Sequence, residues 1–224
     1  MRVKKDIRAI SATKEKVQAL AIPREDTTVL HPETRGEHIA YWISQIGSPP
    51  VMVLTALILT SLTLALPGAW IWVAVYVALA LGIPLSCLVW LFRRGKVTDL
   101  DVHLREQRRA PMIATLIGLA VGWLVLYLGH APDYLQLLAG ISFVQTLFLG
   151  MITLRWKISV HTTTAAGMTI TILSIMGLAA APLVITIPLV AWSRVKLQHH
   201  TAAQTIAGTA LGSAVSLAAV LLRA

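Results

Sequence analysis

The chain has 224 residues; 56% are hydrophobic, 13% are charged, the formal net charge is +9 and the mean hydropathy is +0.73. A soluble domain carries about a quarter of its residues as charges, so the composition excludes a soluble α/β enzyme and a disordered chain. With Cys87 as the single cysteine it also excludes a disulfide scaffold and a Cys/His zinc module. The positive excess is read as the Lys and Arg of membrane loops, not as a nucleic-acid surface, and no nucleic-acid partner is expected.

Residues 1–37 mix eight basic with six acidic side chains and read as a cytosolic extension. They lack the basic, apolar and cleavage regions of a signal peptide. Residues 38–48 carry Tyr41 and Trp42 and read as an interfacial helix ended by Pro49 and Pro50. The expected organisation is therefore an extension with an interfacial helix, 1–48, followed by a membrane domain, 49–224. Its spans are predicted at 51–66, 69–92 (interrupted by Gly82 and Pro84), 112–128 and 134–154, with turns at Pro67 and Gly68 and at His130, Pro132 and Asp133. Residues 165–192 are 28 uncharged residues. A straight helix of that length measures roughly 42 Å, against a hydrocarbon core of about 30 Å. Pro182 and Pro188 are expected to break it into a fifth span ending near Ala180 and a short sixth ending near Trp192. A last span covers 205–222. The fold class is all-α: a polytopic membrane bundle of about six to seven helices.

Counting assigns the faces. With seven spans, the N-terminus and the loops after spans two, four and six share one side, which collects 18 of the 19 Lys and Arg; Arg223 alone lies opposite. The positive-inside rule makes the rich side cytoplasmic.

The same three loops hold most of the reactive polar residues. They cover 96–111, 155–161 and 193–204, and together offer Arg105, Arg108, Lys157 and Arg194, the histidines His161, His199 and His200, and Ser159. Helical parity brings all three loops to one membrane face. Arginine forks bind phosphate oxygens, a histidine serves as nucleophile or general acid, and helix N-termini favour anions. Fixed cations, imidazoles and a hydroxyl at one face are what a phosphate-ester site needs. The blander reading of any one such loop is a headgroup contact. For Gly208-x-x-x-Gly212 it is close helix packing.

The spacing of Ser193, Arg194 and His200 resembles the last signature of the type 2 phosphatidic acid phosphatase superfamily: Ser-Arg, five residues, His, three residues, Asp. Ser159 and His161 fall on its second signature, Pro-Ser-Gly-His, and Arg108 on the arginine of the first. The resemblance covers roughly 93–218 and implies a membrane lipid phosphatase. In that role His200 is the nucleophile and forms a phosphohistidine. His161 protonates the leaving group, Arg194, Arg108, Arg105 and Lys157 hold the phosphate oxygens, and Ser159 adds a hydrogen bond. The substrate class is a lipid phosphate or isoprenoid diphosphate, the partners are membrane lipids, and no metal or cofactor is implied. The departures are equally specific. Asp101 stands where the first signature has Lys, so the missing cation falls to Arg105 or Lys157. Gln204 stands where the third has the Asp that orients the histidine, which resembles a divergent bacterial branch with Gln there. An amide fixes a tautomer but does not stabilise an imidazolium by charge. The competing expectation is therefore a non-catalytic lipid-phosphate binder of the same fold.

Overall fold

The computed structural model describes residues 32–97 and 109–223. They form α1 (Arg35–Ile46), α2 (Pro49–Leu64), α3 (Ala69–Arg93), α4 (Arg109–Leu128), α5 (Asp133–Thr153), α6 (Val160–Met176), α7 (Thr186–Lys196) and α8 (Ala202–Leu221), with a 3-10 segment, Gly177–Ile185, between α6 and α7. Among the described residues there is no strand. Five stretches are long and apolar enough to cross a bilayer, or six if α1 and α2, bent by 53° at their junction, count as one. The chain is an all-α, multi-pass membrane bundle.

Local chemistry explains most of the boundaries. α1 begins at Thr34, whose hydroxyl accepts the Glu37 N–H at 3.2 Å while the Glu37 carboxylate accepts the Thr34 N–H at 3.0 Å. Pro49 and Pro50 do not end α1; they open α2, at positions whose N–H has no helical acceptor. Gly82 and Pro84 do not interrupt α3, which runs unbroken for 25 residues. Gly118 of α4 accommodates that point: a Cβ there would stand 2.9 Å from the Leu79 carbonyl and 3.1 Å from Pro84 Cδ.

The long apolar stretch divides differently from the expectation. α6 stops at Met176 because Gly177 takes φ 63, and Pro182 lies in the 3-10 segment that follows. Pro188 breaks nothing. It sits in the first turn of α7, where helix N–H groups lack partners anyway. The Thr169 and Thr186 hydroxyls meet at 3.3 Å, so α7 turns back alongside α6 instead of continuing outward. That return carries Arg194 to the end of the bundle where α6 begins.

The core is built by α2 to α6 around Leu57, Tyr76, Leu126, Leu135, Leu138, Met168 and Ile172. Large apolar side chains such as Leu62, Ile71, Ile113, Leu124, Ile206 and Leu217 point outward, as lipid contact requires. Small and hydroxylic residues fill the interior. Tyr134 donates to Ser61 Oγ at 3.1 Å, and Gln145 Nε2 donates to Ser216 Oγ at 3.0 Å.

Candidate functional site

The site begins with the closest helix pair, α6 on α8. A Cβ on Gly208 would overlap the Thr162 hydroxyl and the Ser159 carbonyl, and one on Gly212 would overlap the Thr163 carbonyl. The two glycines therefore let the backbones touch, as the GxxxG spacing suggested. Contact at this point sets the N-terminal ends of both helices side by side. Ser159 N–H donates to the Gln204 carbonyl at 3.3 Å, which links the two signature segments directly.

Each segment is then fixed by its own cap. Ser159 is fully buried at the N-cap of α6, and its Oγ accepts the Thr162 N–H at 3.4 Å. Thr201 caps α8: its Oγ1 accepts the Gln204 N–H at 3.3 Å, and Gln204 Oε1 accepts the Thr201 N–H at 3.2 Å. The same Oε1 lies 3.0 Å from His200 Nδ1. A backbone N–H needs an oxygen, so the cap fixes the orientation of the Gln204 amide. That oxygen in turn requires a proton on Nδ1, leaving the lone pair of His200 on Nε2. Gln204 thus sets the tautomer as the sequence suggested, and it does so as one half of a capping box.

The turn between α7 and α8 completes the arrangement. Gln198 takes φ 55, and the Arg194 carbonyl accepts the N–H of both His199, at 3.0 Å, and His200, at 3.2 Å. The Arg194 side chain is held from a distant part of the chain: Nη1 donates to Ser44 Oγ of α1 at 2.7 Å.

Electrostatics places the remaining members. His161, in the first turn of α6, is within the electrostatic reach of Arg194, His200 and His199. His200 is pushed down to about 3, chiefly by burial, then by the Arg194 guanidinium, with Lys157 and His199 acting the same way; the Gln204 hydrogen bond pulls upward. Among the described residues, every charged neighbour acting on these two histidines is basic. An anion is the counter-charge such a cluster takes.

A cavity of about 490 Å³ is walled by α2 to α6, including Leu57, Ala80, Leu119, Leu149 and Met168, and reaches the start of α6 at Val160, next in sequence to His161. Its α6 lining is Val160, Thr163, Thr164 and Met168. His161 precedes Thr164 by three residues and Met168 by seven, so it shares their side of the helix.

Of the residues singled out from sequence, Lys157, Ser159, His161, Arg194, His200 and Gln204 come together. Arg105 and Arg108 lie outside the described residues. Ser44 and Thr201 were not anticipated. The Thr-x-x-Gln spacing of a capping box marks Thr201 in the sequence, but nothing local marks Ser44, which is 150 positions from its partner. No protein-family model matches the chain, and no curated protein or solved structure matches it.

Proposed function

We propose that the chain is an integral-membrane phosphatase, of the type 2 phosphatidic acid phosphatase kind, acting on a lipid phosphate or isoprenoid diphosphate. The observation that carries this reading is His200 with Nδ1 held by Gln204 and its ring within electrostatic reach of Arg194, Lys157 and His161. An uncharged imidazole lone pair surrounded by cations is a nucleophile beside an anion-binding site. The adjoining apolar cavity suits a lipid tail, which is why a membrane substrate is favoured over a soluble ester.

His200 Nε2 attacks phosphorus while the bond to the leaving oxygen breaks. His161 delivers a proton to that oxygen. Water then attacks the phosphohistidine and gives a proton back to His161, the P–N bond breaks, and inorganic phosphate leaves with both histidines restored. Arg194 and Lys157 offset the charge on the equatorial oxygens, joined by Arg105 and Arg108 on the sequence reading. The basic face, and with it the site and the N-terminus, is assigned to the cytoplasmic side of the cell membrane by the positive-inside rule.

The test is phosphate release from a panel of lipid phosphates and isoprenoid diphosphates by purified protein, with a chelator present and no divalent metal added. Turnover by wild type and its loss in His200→Ala are expected. Wild-type turnover in His200→Ala would remove the nucleophile assignment. Gln204 favours a second reading, a lipid-phosphate-binding protein of the same fold, because a neutral amide does not stabilise an imidazolium by charge. Lipid-phosphate binding without phosphate release would select it.

A further inference from the structure

Arg194 lies six residues before the proposed nucleophile, and its side chain is held from the other end of the chain. Gly36, Ala40, Ser44 and Gly47 lie four, four and three residues apart, on one face of α1 and its C-cap. That face docks on α7. Ala40 and Ser44 are buried there, a Cβ on Gly47 would overlap Val190, and one on Gly36 would stand 3.6 Å from Lys196 Cε. The opposite face exposes Ile39, Trp42 and Ile46.

Small residues bring α1 close enough for a short side chain to reach across. Ser44 is 3% exposed, and its Oγ accepts from Arg194 Nη1 at 2.7 Å. An arginine side chain carries large rotamer freedom, and a group ordered before binding loses less when the ligand arrives. The bond to Ser44 uses one of the five guanidinium N–H donors and ties one edge of the guanidinium to α1.

We propose, on the lipid-phosphatase reading above, that Ser44 is a positioning residue: from α1 it holds the Arg194 guanidinium in the orientation that binds phosphate, so that α1 completes the site. The coupling runs through the side chain of Arg194. The Arg194 carbonyl, which anchors the His199–His200 turn, is untouched by it. Loss of the Ser44 hydroxyl is therefore expected to weaken phosphate binding more than it slows the chemical step.

The experiment compares Ser44→Ala and Ser44→Thr with wild type, each also in an Arg194→Lys background. Lipid-phosphate kinetics, competitive inhibition by inorganic phosphate and thermal unfolding are measured on the full chain. Ser44→Ala should raise KM and the inorganic-phosphate inhibition constant roughly fivefold to tenfold, as expected for one lost hydrogen bond to a charged group, with a smaller change in kcat. Ser44→Thr, which keeps the hydroxyl, should recover most of the phosphate affinity. In the Arg194→Lys background Ser44→Ala should add little, because the partner is already gone. Unchanged phosphate affinity in Ser44→Ala, or the same penalty in both backgrounds, would reduce Ser44 to a packing residue and overturn the inference alone. A wild-type protein that neither binds inorganic phosphate nor releases it from lipid overturns the lipid-phosphatase reading as well.

Discussion

Gln204 carries two obligations on one oxygen: the Thr201 N–H of the α8 cap and the Nδ1 proton of His200. Aspartate, the residue of the resembled signature, is one methylene shorter and would strain to reach both. Glutamate keeps the length, satisfies the same two donors and places negative charge at a helix N-terminus. Gln204→Glu is therefore expected to raise the His200 pKa from about 3 toward its ordinary value and to keep or increase turnover. Gln204→Leu should lose both bonds, cost at least about 1 kcal/mol and lower activity at least fivefold. An NMR titration of His200 and lipid-phosphate kinetics check both variants; equal activity for Gln and Leu would place residue 204 outside the chemistry. The same histidine gives the protein an acid sensitivity. Unfolded, it takes up a proton near 6.5, but folded only near 3, so the unfolded state binds the extra proton between those values. Stability should be unaffected above about pH 6.5 and fall as pH drops through the window, by up to about 2 kcal/mol at pH 5. Denaturation at pH 7.5 and pH 5 should show a smaller loss in His200→Gln than in wild type.

At the scale of elements, apposition of α6 and α8 brings two separate sequence segments into one cluster. Gly208 bears on it most directly, since its Cα faces the Ser159 carbonyl that opens α6. Gly208→Ala should push α8 away, cost about 1–3 kcal/mol by overpacking, and loosen the Ser159 N–H bond to the Gln204 carbonyl. Gly82 of α3 has open space where its Cβ would be, so Gly82→Ala serves as the control without steric penalty, as stable as wild type or slightly more so. Thermal unfolding and turnover of both variants check this; a Gly208→Ala protein as stable and active as Gly82→Ala would show that the contact is not needed. The elements also show where proline misleads. Pro49, Pro50 and Pro188 all read as breakers in the sequence and all lie in first helical turns, where a missing N–H costs nothing. Pro182 and the positive φ of Gly177 supply the actual break.

For the whole molecule, the cavity beside α6 and the return of α7 matter most. Ala80 is buried on α3 and lines the cavity. Ala80→Phe should fill part of that space and raise KM for long-chain lipid phosphates, while leaving hydrolysis of a short water-soluble phosphate ester little changed. Equal effects on both substrates would separate the cavity from tail binding. The topology offers an independent check. In a Cys87→Ser background, a cysteine at position 155 should resist an impermeant thiol reagent in intact cells and one at position 223 should react, as the basic asymmetry requires.

The all-α membrane class was legible at once, because uncharged runs of span length have no alternative use in a chain this poor in charge. The short spacings also singled out Ser159, His161, Arg194, His200 and Gln204, which the fold then gathers, and the packing role of Gly208 and Gly212 was legible because small residues four apart mark close approach. Three things required the tertiary structure. Whether α7 continues outward or turns back depends on contacts such as Thr169 with Thr186, which periodicity does not encode. The tautomer of His200 depends on a capping box whose second use of Gln204 Oε1 appears only when the turn is formed. The link from Ser44 to Arg194 joins residues 150 positions apart. A local pattern records what a segment needs from its neighbours in the chain; which distant segment meets that need is decided by how the helices pack.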